Sequence, residues 1–420
     1  MIEAGAAIID ITPTPGLSMS GFAARSLPAK DAHDPLTARA VVIGDTAVVV
    51  ADVIGIDAGM SARIRQRCAL PADNIVVAAL HNHGGPVSMA GRLSLTADPA
   101  YLERLEDVCV AAIDKAVAAR RPARIVVSQG SDPDIARNRR HSDGPVDTSL
   151  TLLRIRGEDG AMIAVVTAYA CHPVVLGADN LLWTPDYPHF VRQSLEETYP
   201  GAIALFMTGC AGDANTGHSA HASITLAADP ERSYEAAQRI GGKIAEAALT
   251  ADEVPIADDI SARNGTVMLA FERRETEALD LLEERWRNEA LTAEPARKNL
   301  LGYWADWAKN IAPTAPAPLA ARVTVLNWGG IPIVALPGEI FTETALAIRA
   351  ALGPKKPAFV IGFADDNPGY IPPASEFAYG GYEVDEAHRY YGLPMTFAPG
   401  SAEALAACAI KLATEEDLAA

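Results

Sequence analysis

Five apolar runs in this chain each end in a short polar cluster, and a sequence built that way has few ways to fold. Residues 74–80 run into His81-Asn82-His83, 161–171 into His172-Pro173, 202–212 into Asp213, 331–338 into Glu339, and 358–369 into Tyr370. Short β-rich runs that stop at polar residues read as sheet strands delivering side chains to one edge. In open α/β sheets the carboxyl ends of strands are where ligands bind. Two histidines, a carboxylate and a phenol brought to such an edge make a hard-to-borderline metal site of the kind zinc favours. A metal-dependent hydrolase is the first expectation.

At 420 residues the chain can bury a large core without disulfide or metal staples. The 53 acidic residues outweigh the 35 basic ones, giving a net charge of −18 that repels nucleic acid and anionic membranes. The expected partner is a small N-acyl substrate; neither nucleic acid nor membrane is expected, and a homo-oligomer is admitted. Met1-Ile2-Glu3 opens no secretory signal, no apolar run is long enough to cross a bilayer, and cytoplasmic residence is the expectation. Cys68, Cys109, Cys171, Cys210 and Cys408 show no paired metal spacing and fit reduced thiols.

Along the chain, strand and helix patterns alternate in the manner of an α/β protein. Strands are expected at 38–43, 47–53, 75–80, 123–128, 150–156, 161–170, 323–327 and 331–336, and helices at 58–67, 101–119, 187–197, 234–248 and 402–418. The predicted fold class is α/β, with mixed β-sheets flanked by helices in a single large catalytic domain over residues 1–420. Residues 251–320 change character: a charged helical pattern, Trp286, Trp304 and Trp307, and then a Pro/Ala stretch. They read as a helical insertion whose tryptophans either wall a pocket or dock against the core.

His81 and His83 are two apart, so in extended chain both imidazoles face one side. His172, after a second strand, strengthens a metal reading. Glu339 opens a convincing helix and either ligates metal or complements the helix N-terminus. Tyr370 also fits an ordinary turn with an aromatic anchor. Asp213 follows a glycine-bearing loop and reads as a positioning partner or a base. Arg139 and Arg140 lie in a basic run that is either solvated or grips an oxyanion or carboxylate. Neither an HExxH pattern nor a GxSxG elbow is present.

Taken together and in order, these segments resemble the catalytic N-terminal domain of the neutral/alkaline (non-lysosomal) ceramidase family. The resemblance rests on Ala7-Ile8-Ile9-Asp10-Ile11-Thr12-Pro13, Gly21-Phe22, Asp34-Pro35-Leu36-Thr37-Ala38-Arg39-Ala40 and His81-Asn82-His83-Gly84-Gly85-Pro86. It continues through Asn138-Arg139, His172-Pro173, Gly212-Asp213, Pro337-Gly338-Glu339 and Gly369-Tyr370. It implies one zinc per chain held by His81, His172, Glu339 and Tyr370, with His83, Arg139 and Tyr382 lining the reacting group. Asp213 is the expected acceptor of the water's proton, with Asn215 and Arg140 toward the substrate. Asn215 stands where the family places a serine, and the length leaves no room for the immunoglobulin-like C-terminal domain of true ceramidases. A short bacterial-type amidase on a small soluble amide is therefore expected. An ester or lactone hydrolase is the first alternative and an inactive metal-binding protein the second.

Overall fold

The apolar runs become strands of two mixed sheets in the computed structural model, which describes residues 2–93, 96–219, 225–227, 229–250, 252–312, 314–353 and 356–415. The larger sheet has nine strands. Its path runs Ile203–Thr208, Met162–Tyr169, Thr151–Gly157, Arg121–Gln129, Ile2–Asp10, Thr37–Ile43, Thr46–Ala51 and Ile75–Ala79, with Val254–Pro255 beside Arg121–Gln129. The smaller sheet orders Ile260–Leu269, Leu319–Trp328, Ile331–Ala335 and Phe359–Ile361.

Most neighbours are antiparallel, but every strand that feeds a polar cluster belongs to a parallel pair. Met162–Tyr169 pairs with Ile203–Thr208, Ile75–Ala79 with Thr46–Ala51, and Ile331–Ala335 with Phe359–Ile361. Parallel pairing sets carboxyl ends side by side, and it explains why these runs are apolar throughout: strands covered on both faces have no solvent side. Ile75–Ala79 and Met162–Tyr169 are buried at every position. Cross-links at the strand ends then join the sheets. Ala79 N donates to Phe363 O at 3.0 Å and Gly209 bridges Ile361, while Thr208 Oγ1 donates to Leu80 O at 2.6 Å and so ties the two end strands of the larger sheet to each other.

Helices cover both faces of the larger sheet. Pro99–Ala118, with Asp98 accepting from Tyr101 N, buries Leu105, Cys109 and Ile113 against Val42, Val49 and Val77. On the other face Tyr187–Thr198 and Tyr234–Ala248, the latter capped by Ser233, bury Val191, Leu195, Ile244 and Ala248. Ser401–Thr414 packs with Thr342–Leu352 against the smaller sheet, burying Leu405 and Ala409 beside Val323 and Ile348. Of the helix expected at 402–418, residues 416–418 lie outside the described residues.

The stretch 251–320 differs from the expectation, apart from residues 251 and 313, which lie outside the described residues. Helix is confined to Leu279–Ala290 and Pro295–Asn310, whereas Ile260–Leu269 is a ten-residue strand of the smaller sheet. Its side chains are half-buried from Ile260 to Gly265, alternate only at the far end and reach full burial only at Leu269, so it lacks the apolar run that marks the other strands, and the charge-rich flanks hid it. The tryptophans form the core of the helical pair. Trp286, Trp304 and Trp307 surround the Arg389 guanidinium at 5.0, 4.7 and 5.5 Å, a cation–π cage that docks the pair on the 386–393 segment.

One buried ion pair ties a helix to the sheet below the site. Arg192 donates to both oxygens of Asp52, at 2.7 and 3.0 Å, and Asp52 also accepts from Thr37 N and Oγ1. Arg192→Met would leave the Asp52 charge buried without its counterion, at a cost of about 3–5 kcal/mol. Equilibrium urea unfolding should show that loss as a lower midpoint; a cost under about 1 kcal/mol would mean the pair contributes little.

Candidate metal centre and reaction pocket

His81 reaches the site on a strained backbone. After Ile75–Ala79, Leu80 N donates to Ala51 O and His81 N to Val53 O, and His81 itself sits at φ +64, a left-handed conformation costly for a side chain of this kind. Stacking on Phe363, with ring centroids 4.0 Å apart, and a 2.6 Å bond from Nδ1 to Ile54 O hold the ring there. His172 follows Met162–Tyr169; its amide donates to Ala214 O and its Nδ1 to Ala211 O. Gly338, at φ +76 with a Cβ position only 2.6 Å from Gly369 O, lets two loops touch. Glu339 and Ile340 thereby pair in parallel with Tyr370 and Ile371.

Three acceptor atoms meet as a result. His81 Nε2 lies 3.1 Å from His172 Nε2, His172 Nε2 lies 2.9 Å from Glu339 Oε2, and His81 Nε2 lies 3.5 Å from the same oxygen. Each imidazole spends its Nδ1 proton on a backbone carbonyl, so in the neutral tautomers both Nε2 atoms present lone pairs. Burial, followed by the neighbouring Arg139, lowers the His172 pKa to about 4, keeping that ring neutral at physiological pH. Burial raises the Glu339 pKa, and protonated His81 and His172 would lower it well below its ordinary range; once both rings present lone pairs, that stabilising charge has to come from a bound cation. Two lone pairs and a carboxylate facing one another repel unless a cation sits between them. Ligands about 2.0–2.2 Å from a tetrahedral zinc stand roughly 3.3–3.6 Å apart, so an ion between these atoms needs only a few tenths of an ångström of spreading. The residues present therefore fit a divalent metal.

The surroundings support that centre. The Tyr391 hydroxyl donates to Glu339 Oε1 and orients the carboxylate. No local pattern in the sequence marked Tyr391; only the folding back of the 386–393 segment shows it. Tyr370 lies beside Glu339, and its hydroxyl accepts from Arg139 Nη2 at 2.8 Å. Arg139 also binds Gly212 O at 2.8 Å and Glu383 at 2.9 Å. Burial opposes the Arg139 charge, but Tyr370 and Glu383 more than offset it, so the pKa is raised.

Beside the three acceptors lies a narrow pocket of about 50 Å³ lined by His83, Arg139, Asn215, Arg232, Tyr370 and Tyr382, among others. Neither His83 ring nitrogen has a hydrogen-bond partner among the described residues. Gly21 makes room for that ring: a Cβ there would come within 2.5 Å of His83 Nδ1. Burial pushes the His83 pKa well below 6.5, leaving a neutral ring. Across Phe22 a second pocket, of about 340 Å³, is walled partly by Leu300 and Tyr303 of Pro295–Asn310 and by Tyr390. The helical pair thus both docks on the core and closes one side of a cavity.

Two carboxylates divide the tasks that the sequence left open. Asp213 caps the helix Thr342–Leu352, its Oδ1 accepting from Thr342 N at 2.7 Å and Oγ1 at 2.8 Å, while Oδ2 accepts from Asn138 at 2.9 Å. Both oxygens being committed, its geometry is that of a positioning group rather than the expected proton acceptor. Glu339, the other candidate for that helix end, turns to the histidines. Arg140 is likewise engaged, with Glu376 and Gly380 O at 2.7 Å and with Glu383, so its fork is not turned to a ligand. Asn215 lines the pocket while its amide holds the turn through Gly217 and His218.

Tyr391→Phe removes the donor that orients Glu339. Metal affinity should fall about 10–100-fold with the fold intact, read by competition with a chromophoric chelator; unchanged affinity would show that Glu339 needs no such support.

Comparison with known proteins identifies the fold and the family. A search of curated proteins finds no match. The fold is similar to that of a neutral ceramidase from Pseudomonas aeruginosa, with a TM-score of 0.75 at 18% identity, covering 98% of this chain and 74% of that one. A ceramidase complexed with C2 gives a TM-score of 0.73 at 17% identity over the same shares. The sequence profile of the neutral/alkaline non-lysosomal ceramidase N-terminal region matches residues 2–214, just over half of the 420 residues. The chain belongs to the neutral/alkaline non-lysosomal ceramidase family, a membership that supports a hydrolase of the amidase type.

Proposed function

We propose that the protein is a zinc-dependent amidohydrolase that cleaves the N-acyl bond of a small soluble substrate. The observation that carries this is the convergence of His81 Nε2, His172 Nε2 and Glu339 Oε2 within 3.5 Å of one another, with both imidazole tautomers set by Nδ1 bonds to backbone carbonyls. One zinc per chain would be held by these three atoms with Tyr370 as the fourth ligand. A metal bound there supplies an activated water and a Lewis acid for the acyl carbonyl.

The protein's own groups complete the chemistry. His83, neutral and unpaired, accepts a proton at the pocket and later returns one to the departing amine. Arg139 and Tyr382 offer donors to the oxygen that gains charge as the carbonyl carbon becomes tetrahedral. Asp213 holds Asn138 beside Arg139 and fixes the helix after Glu339. The net charge of −18 disfavours anionic membrane surfaces and favours a soluble substrate.

A second reading, hydrolysis of an ester or lactone, is favoured by one residue: Asn215 lines the pocket where the family places a serine. The same donors serve either acyl bond. His83→Ala should retain metal and lose about 10²–10⁴-fold in kcat/KM toward amides. Full retention of activity in that variant would remove His83 from the chemistry, and turnover of esters but of no amide by the metal-loaded protein would select the second reading.

A further inference from the structure

Arg139 and Arg140 are the cations the sequence offered for gripping a substrate, but a third one faces the pocket. Arg232 precedes the helix Tyr234–Ala248 and lines the same pocket as His83, Arg139 and Tyr382. Its Nε donates to Val175 O at 3.2 Å and its Nη2 to Val174 O and Leu176 O, both at 3.0 Å. These carbonyls belong to the loop that follows His172, so they fix the guanidinium relative to the metal centre. Its Nη1, with two N–H groups, has no hydrogen-bond partner among the described residues, and no carboxylate among them lies within ion-pair distance of Arg232.

The charge around it is mixed: Asp186, Asp179 and Asp229 support the Arg232 charge from beyond ion-pair distance, and a second guanidinium stands close by. Arg232 stands 5.5 Å from the Phe22 ring centroid and Arg25 stands 4.7 Å from the same ring. Arg25 spends all three nitrogens on the carbonyls of Ser20, His83, Gly177 and Ala178. Two guanidiniums therefore flank one ring, neither paired with a carboxylate among the described residues, and only Arg232 keeps a nitrogen free. An anion in the pocket would meet a preformed donor there. Guanidinium and carboxylate are matched in shape as well as charge.

We propose that Arg232 binds a carboxylate of the substrate, making the substrate an N-acyl α-amino acid whose carboxylate lies close to the scissile amide. This rests on the amidohydrolase reading and names the substrate class for that same site. The short pocket demands the closeness: His83, Tyr382 and Arg232 all line about 50 Å³.

The test is a panel of N-acetyl amino acids and their C-terminal carboxamides, assayed with the metal-loaded wild type, Arg232→Gln and Arg232→Lys. The wild type should prefer the acids by at least roughly tenfold in kcat/KM. Arg232→Gln should collapse that ratio toward one, through a higher KM on the acids, and Arg232→Lys should restore part of it. Thermal unfolding of each variant separates binding from folding, and the wild-type ratio by itself decides should a variant fail to fold. Equal wild-type rates on acids and carboxamides, or a preference that survives in Arg232→Gln, would overturn the assignment while leaving the amidohydrolase reading intact. Turnover of neither series would overturn that reading and this inference with it.

Discussion

Three lone-pair atoms held within 3.5 Å of one another are the constraint on which the rest of the structure turns. Left to themselves two imidazole Nε2 atoms and a carboxylate would separate, because facing acceptors repel and burial deprives them of water. The fold spends backbone carbonyls on each Nδ1, a left-handed residue at His81 and a tyrosine hydroxyl on Glu339 to keep them together. Strain retained in this way is what a bound cation would reward.

The architecture follows from bringing five chain segments to one point. Three parallel pairs place their carboxyl ends together, and contacts such as Ala79 N to Phe363 O lock the sheets at those ends. The helical pair at Leu279–Ala290 and Pro295–Asn310 acts at one remove. Its tryptophan cage grips Arg389, two residues before Tyr391, so packing far from the metal centre fixes the donor to Glu339. Leu300 and Tyr303 of the same pair wall the larger cavity, so this segment both supports the Glu339 donor and shapes the space beside the site.

Much of this was legible in the sequence because strand ends leave a local mark. An unbroken apolar run followed by His, Glu or Tyr announces both the strand and the residue it delivers, and the helices at Ala58–Arg67 and Tyr234–Ala248 fall where periodicity puts them. Segment order carried the family. Lost were the features that depend on tertiary approach. Whether Glu339 or Asp213 serves the helix at Thr342 cannot be read from spacing, since both carboxylates stand near a glycine and a strand end. Tyr391 and Arg232 sit in segments with no distinguishing pattern, and each matters only through what the fold brings to it. The strand Ile260–Leu269 was obscured because it lacks a buried apolar run and its neighbours are rich in charge.

The most direct measurement is the metal content of the purified protein after chelation and reconstitution with zinc, made beside His172→Ala treated in the same way. The account predicts about one tightly bound zinc per chain in the wild type and loss of most of it in the variant, since the substitution removes one of the two imidazoles and leaves the ion with an incomplete ligand set. No retained metal in the wild type, or equal retention in both proteins, would contradict the claim that these lone pairs were arranged around a cation.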